Sequence, residues 1–401
     1  TVGLNAEYGN TRFSNTGQNA FVDSTGGTVG ADSFLPQATI QSSNRRFGVF
    51  ATETFSATER LAITASARYD YASISLSGVS CNDPNALCNG AAAISPAPGT
   101  NTLADVSGDH SYQRLNPSLG VAYQISPRVT GFVNYAEGFR TPSAIELACA
   151  DPNSPCSGIP NAFGADPELQ AVVSKTFEIG FRGNLGQGLR WSGAAFRSTL
   201  HNDILFNQTN AVQGYFSNVG QTRRQGVELS LDGNADRFDY AVAASWVDAT
   251  FQTPFTISND ANSVCVAAKG AGNGCAGVTA QPSDKIPGLP TLTLKMRLGY
   301  ALTPQTRMKA TLQAQGPQHA RGDENNQDSN GRIPGFATVK VDVSHRFDKK
   351  FEVFGGVTNL FNARYATYGT LGFNNLASGS AEQFRGMAAP RAAYAGVRAL
   401  F

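Results

Sequence analysis

Ala337-Thr338-Val339-Lys340-Val341-Asp342-Val343-Ser344-His345-Arg346-Phe347 alternates apolar and polar residues at almost every step. An extended strand sends successive side chains to opposite faces, so this run has one apolar face and one charged face. Asp348-Lys349-Lys350 turns the chain, and Phe351-Glu352-Val353-Phe354-Gly355-Gly356-Val357 brings it back. The pattern predicts a hairpin of two long strands joined by a very short connection.

The rest of the sequence repeats that unit. About fourteen strand candidates are legible, at roughly 2–15, 45–57, 59–77, 111–126, 128–139, 174–185, 188–205, 222–233, 236–250, 290–302, 305–316, 335–347, 350–361 and 391–401. Tight connections carry turn residues: Ala57-Thr58, Ser126-Pro127-Arg128, Gly186-Gln187-Gly188, Gly233-Asn234-Ala235, Thr303-Pro304 and Asp348-Lys349-Lys350. They alternate with long polar connections near 16–44, 78–110, 140–173, 206–221, 251–289, 317–334 and 362–390. Loops of that length are uncommon in compact soluble domains. Strands of ten or more residues also exceed the soluble norm of about five or six and suit a membrane crossing of about nine to eleven. Short turns at one rim and long loops at the other are the layout of an outer-membrane barrel. The fold class expected is all-β: an antiparallel transmembrane β-barrel.

The faces agree. Leu61, Ile63, Ala65, Ala67, Tyr69 and Tyr71 oppose Thr64, Ser66, Arg68 and Asp70. Leu292, Leu294, Met296, Leu298 and Tyr300 oppose Lys295 and Arg297. In a barrel the apolar face meets lipid and the charged face lines a wet lumen. Two stretches alternate poorly. Phe47 and Phe50 fall on opposite faces, as do Trp191 and Phe196, and a β-bulge is expected in each.

The chain of 401 residues has a net charge of +1, which gives no footing for a nucleic-acid partner. It has no apolar run of helical membrane length. The six cysteines form three local pairs, Cys81 with Cys88, Cys149 with Cys156 and Cys265 with Cys275, each in a long loop. None has the spacing of a zinc or redox site, so loop-stapling disulfides in an oxidising compartment are expected over a metal clip. The four histidines, His110, His201, His319 and His345, have no hydrolase or metalloprotease motif around them. No catalytic residues, metal or cofactor are expected.

Phe132-Val133-Asn134-Tyr135-Ala136-Glu137-Gly138-Phe139-Arg140-Thr141-Pro142-Ser143-Ala144-Ile145-Glu146-Leu147 resembles a signature of TonB-dependent outer-membrane receptors. Ser174-Lys175-Thr176-Phe177-Glu178-Ile179-Gly180 is similar to the strand start that follows it in that family. Asn218-Val219-Gly220 with Gln225-Gly226-Val227-Glu228-Leu229, then Asn359-Leu360-Phe361 with Tyr365, then a last strand ending in Phe401 complete the resemblance. Where the family often has Lys-Pro-Glu, this chain has Gln170-Ala171-Val172-Val173.

The resemblance implies a barrel of about 22 strands with a plugged lumen. Residues 1–401 are then expected to be barrel alone, N-terminally truncated, without the plug domain and incapable of energised transport alone. A complete barrel of about fourteen strands is the other reading of the count. The resemblance also implies import of a scarce nutrient, most often a ferric siderophore, with energy delivered by the TonB complex through the plug. A cobalamin or oligosaccharide receptor, or a passive porin-like channel, is the alternative. Outer-membrane lipid and the barrel-assembly machinery are the other implied partners. Loop aromatics and cations suited to a large anionic chelate are Arg140, Phe163, Tyr215, Phe216, Arg321, Tyr368 and Phe373. Phe401 is the expected assembly signal. Deleting Phe401 should block membrane assembly, read as loss of the protein from the outer-membrane fraction; normal assembly would make it one more interface aromatic.

Overall fold

The computed structural model describes residues 1–401 apart from 19, 24–26, 31–33, 82–102, 151–155, 158–168, 187, 209–212, 258, 271–274, 276, 375–379, 400 and 401. Fourteen strands follow one another in a single antiparallel sheet, each bonded to its neighbours in this order. They are β1 (Val2–Gly17), β2 (Leu35–Ser56), β3 (Leu61–Cys81), β4 (Gly108–Ser126), β5 (Val129–Arg140), β6 (Val172–Leu185) and β7 (Leu189–His201). Then come β8 (Thr222–Ala235), β9 (Phe238–Phe251), β10 (Leu292–Ala301), β11 (Thr306–Gln315), β12 (Phe336–Arg346), β13 (Phe351–Thr358) and β14 (Ala392–Ala399). Among the described residues no ladder joins β1 to β14, so the sheet keeps two free edges.

Register turns the sequence pattern into two surfaces. Trp191, Leu231, Val242, Met296, Leu312 and Val339 lie in one cross-strand row over six strands. The next row is Ser192, Ser230, Ala243, Lys295, Gln313 and Thr338. Among the described residues the apolar face has no second layer on it: Leu229 is 56% exposed and Phe181 48%. A soluble sandwich would bury that face against a partner sheet. A membrane barrel presents it to lipid. The polar face carries paired ions, Arg68 with Asp70 at 2.7 Å, Arg190 with Asp232 at 2.5 Å and Lys340 with Asp342 at 3.0 Å.

The short turns are closed by their own side chains. Thr58 Oγ1 accepts from the backbone N–H groups of Arg60 and Leu61, and Asp348 Oδ1 from those of Lys350 and Phe351. One turn differs from the expectation at Gly233-Asn234-Ala235. Asn234 and Ala235 stay in the ladder opposite Asp239 and Phe238, and the reversal falls on Asp236, at φ 50°. Asp tolerates that left-handed conformation through local hydrogen bonding.

The bulges expected at Phe47/Phe50 and Trp191/Phe196 are absent, since the ladders there run without a register shift. Shifts occur instead near Asn15 and Gln124. The alternation breaks for another reason: some aromatics face inward. Phe50 lies across the ladder from Gly3, Phe132 from Gly180, Phe196 from Gly226 and Phe354 from Gly396. In each case a Cβ on the glycine would collide with or crowd the ring. Arginines cover three of these rings, Arg68 over Phe50 at 5.9 Å, Arg182 over Phe132 at 5.8 Å and Arg398 over Phe354 at 5.6 Å.

β2 starts at Leu35, well before the expected position near 45, and β3 runs on to Cys81. The amphipathic sense of β3 reverses along its length. Before Ala72 the inward residues are polar; from there on Ala72, Ile74 and Leu76 point inward and are buried, while Ser73, Ser75 and Ser77 alternate with them on the outer face. Beyond the lipid the outer face meets water and is polar, and something apolar covers the inner one. Leu229→Arg, on the lipid face, should cost about 2–4 kcal/mol in a refolding titration into bilayers. Ser230→Arg, one residue along and facing inward, should stay within about 1 kcal/mol.

Candidate functional site at the loop rim

What covers the reversed faces is the segment after β5. Ser143 caps a single helical turn, α1 (Ala144–Leu147), and Glu146 accepts the Ser143 N–H at 2.7 Å in a capping box. Leu147, Ala148, Cys149 and Ala150 are buried in one cluster with Ala38, Ile40, Ile74 and Leu76 of β2 and β3. A hairpin of Ile204–Gln208 and Gln213–Asn218 closes over them, with Phe206 and Phe216 packed edge-on at 5.1 Å. Asn218 clamps the assembly. Its amide donates to the carbonyls of Asn202 and Gln170 and accepts the Gln170 N–H. Next to it, Val219 is buried and Gly220, at φ 75°, leaves room for Thr253.

Elsewhere on the same rim the loops after β9, β11 and β13 lock together, with the loop between β11 and β12 as their hub. Asn262 donates to the Gly322 carbonyl at 2.9 Å, and the Ser263 N–H donates to Asp328 at 2.8 Å. Lys285 and Asn326 exchange two hydrogen bonds. Arg321 and the strand Ala366–Asn374 exchange two more, through Gly369 and Leu371. Ala261, Ala320, Ile333, Ala366 and Leu371 form the small apolar centre. Asp323 accepts from the Asp328 N–H at 2.9 Å and pairs with His319 at 2.6 Å. Glu324 is buried, and that burial pushes its carboxyl up to about 7. Its Oε1 accepts from Gly322, while Oε2 has no partner among the described residues.

The candidate residues fall into two groups. Arg140, Tyr215 and Phe216 belong to the α1 side. The Arg140 guanidinium is held by Glu146 at 2.8 Å. Phe216 packs on Phe206, and burial raises the Tyr215 hydroxyl pKa. Arg321, Tyr368 and Phe373 belong to the hub. The Arg321 guanidinium lies over the Tyr368 ring at 5.7 Å, and Tyr368 and Phe373 are solvent-exposed. Phe163 lies outside the described residues. Phe384 joins this group without any signal in the sequence: it is exposed in the strand Ser380–Met387, opposite Thr370, and nothing local marks that stretch as a strand. Glu146 is also absent from the expected set, although its capping-box spacing from Ser143 is readable.

Cys265 and Cys275 form a disulfide within one loop. Cys81 and Cys149 are each disulfide-bonded. Cys88, the Cys156 side chain and Phe401 lie outside what the structure describes. A recess of about 530 Å³ on the inner wall is lined by Glu178, Glu228, Lys295 and Gln313 among others. Among the described residues no three His, Cys, Asp or Glu side chains are grouped as a metal site requires.

The family described as TonB dependent receptor-like, beta-barrel matches residues 1–360. The rhizobactin receptor of Rhizobium meliloti (strain 1021) is 24% identical over 205 residues, covering 49% of this chain and 26% of the receptor. Among solved structures, the ferric yersiniabactin uptake receptor FyuA from Yersinia pestis has a TM-score of 0.65 at 16% identity, over 99% of this chain and 50% of FyuA. The siderophore receptor PiuA from Acinetobacter baumannii has a TM-score of 0.66 at 16% identity, over 99% of this chain and 52% of PiuA. At that identity the likeness shows the fold. The chain spans about half the length of these two structures.

Phe216→Ala should remove about 1–3 kcal/mol of packing from the 204–218 hairpin, read as faster hydrogen exchange there with the strands unchanged.

Proposed function

The chain belongs to the TonB-dependent receptor family, matched through its β-barrel, and from that premise we propose that it forms the wall and outer loops of an outer-membrane receptor for a ferric siderophore. The observation that carries the ligand reading is the Arg321–Tyr368 stack at the loop rim. A guanidinium offers paired N–H donors to the oxygens of an anionic chelate, and the ring supplies a rigid apolar plane beside it. The hub holds this segment through backbone hydrogen bonds, so little ordering is left for the ligand to impose. Phe373 and Phe384 widen the surface. Relatives named as receptors for rhizobactin and yersiniabactin support the same class.

The free edges of β1 and β14 bear on the rest of the protein. A strand edge left unpaired in lipid costs several kcal/mol for each unsatisfied group. The fourteen strands are therefore read as part of a larger closed barrel around a plug, with transport powered through that plug by the TonB complex. The protein sits in the outer membrane and performs no catalysis.

Restoring the full-length gene to a receptor-deleted strain should rescue growth on at least one iron chelate. Arg321→Ala and Tyr368→Ala should each weaken binding of that chelate about tenfold, on the order of 1–2 kcal/mol. Rescue by cobalamin or a sugar, with none by any chelate, would overturn the assignment.

A further inference from the structure

The hub carries a group that the binding role leaves unused. Glu324 lies in the loop that joins the other two, 7% exposed, with one carboxylate oxygen on the Gly322 N–H and the other without a partner among the described residues. Gly322, at φ 95°, is itself pinned on two sides. Its carbonyl takes the Asn262 amide, and a Cβ there would run into Asn259. Asn259 Nδ2 is likewise buried without a partner among the described residues. Two unsatisfied polar groups therefore lie at the joint that holds the loops to one another.

The charges around Glu324 are already engaged. Asp323 is tied to His319 and to the Asp328 N–H. Asp328 accepts from Ser263 and Asn330. Arg321 is drawn over Tyr368, and its pull on the Glu324 charge is smaller than the push from Asp323. In the loop after β9, Lys285 pairs with Asp248 and Lys269 with Asp260. In the hairpin after β13, Arg385 bonds Gln383, and Glu382 accepts from Asn374 and Ser380. With Asp323 and Asp328 occupied, one spare carboxylate supplies too few oxygens for a divalent cation. Ionising a carboxylate buried this deeply is costly, and a proton removes that cost.

We propose that Glu324 is a proton-operated latch: protonated, it lets the loops after β9, β11 and β13 close into one block; ionised, it loosens them. Arg321 and Glu324 lie three residues apart in one loop, so opening the latch releases the surface assigned above to the ligand. That consequence rests on the ligand assignment, whereas the latch itself concerns only the loops and is measured without ligand.

The sign follows from the direction of the shift. Burial raises the carboxyl from 4.5 to about 7, so the closed block holds a proton that the opened loops lose. The proton's contribution to the block is full below 4.5 and is lost as pH rises from there through about 7. Hydrogen exchange of the full-length receptor in outer-membrane vesicles, corrected for intrinsic rates, should show residues 259–263, 317–333 and 366–374 opening roughly 25-fold more at pH 8 than at pH 5.5. The α1 segment and the 204–218 hairpin serve as controls and should not change. Glu324→Gln, a neutral isostere, should give the same protection at both pH values. His319, hydrogen-bonded to Asp323, is the other side chain to test, and His319→Gln should keep most of the wild-type pH dependence. Equal protection of the wild-type hub at the two pH values overturns the latch, whether or not either variant folds. So does a folded Glu324→Gln receptor that opens with pH as the wild type does, or loss of the pH dependence in His319→Gln.

Discussion

Lipid offers a peptide group no hydrogen-bond partner, and that one constraint arranges the rest of the molecule. Each strand in the membrane must pair along both edges, which forces a continuous antiparallel ladder and leaves little tolerance for irregularity within it. Turns on one rim can then be as short as geometry permits, and they are: Thr58 and Asp348 satisfy the turn backbone from within. Length accumulates on the other rim, where water relaxes the demand.

The reversal of polarity in β3 marks where that demand ends. Up to Tyr71 the strand shows lipid an apolar face; past Ala72 it turns its apolar residues inward onto α1 and its neighbours. One strand thus belongs to two folds, a membrane wall below and a small water-facing core above. The hub after β11 is a second such core, with fewer buried apolar residues among those described and with its loops tied by hydrogen bonds. Both sit at the long-loop rim, and in both the backbone groups of one loop are satisfied by another.

The wall is readable because its signal is local. The run from Ala337 to Phe347 carries its own periodicity, and Asp348 announces its own turn. Phe50 and Phe196 mislead for an equally physical reason: an inward aromatic looks like a slipped register unless the glycine across the ladder is known. The first part of β2, Leu35 to Asn44, escapes notice because Ala38 and Ile40 are buried on its inner face and invert the expected code. At the rim, Arg321 and Tyr368 stand out by residue type, but their contact depends on a parallel bridge between loops far apart in sequence. Glu324 is invisible for the same reason: nothing in Gly322-Asp323-Glu324-Asn325 says that it is buried, since the loop near residue 260 folds against Gly322 from far along the chain.

The aromatic–glycine pairs across the ladder constrain how this sequence can change over time. Phe50 occupies the space a side chain on Gly3 would need, and Phe354 does the same to Gly396. Neither member can be replaced alone without a collision or a void. Across descendants of this chain the two positions of each pair should drift together although far apart in sequence, and such coupled substitutions would record strand order and register from inheritance alone.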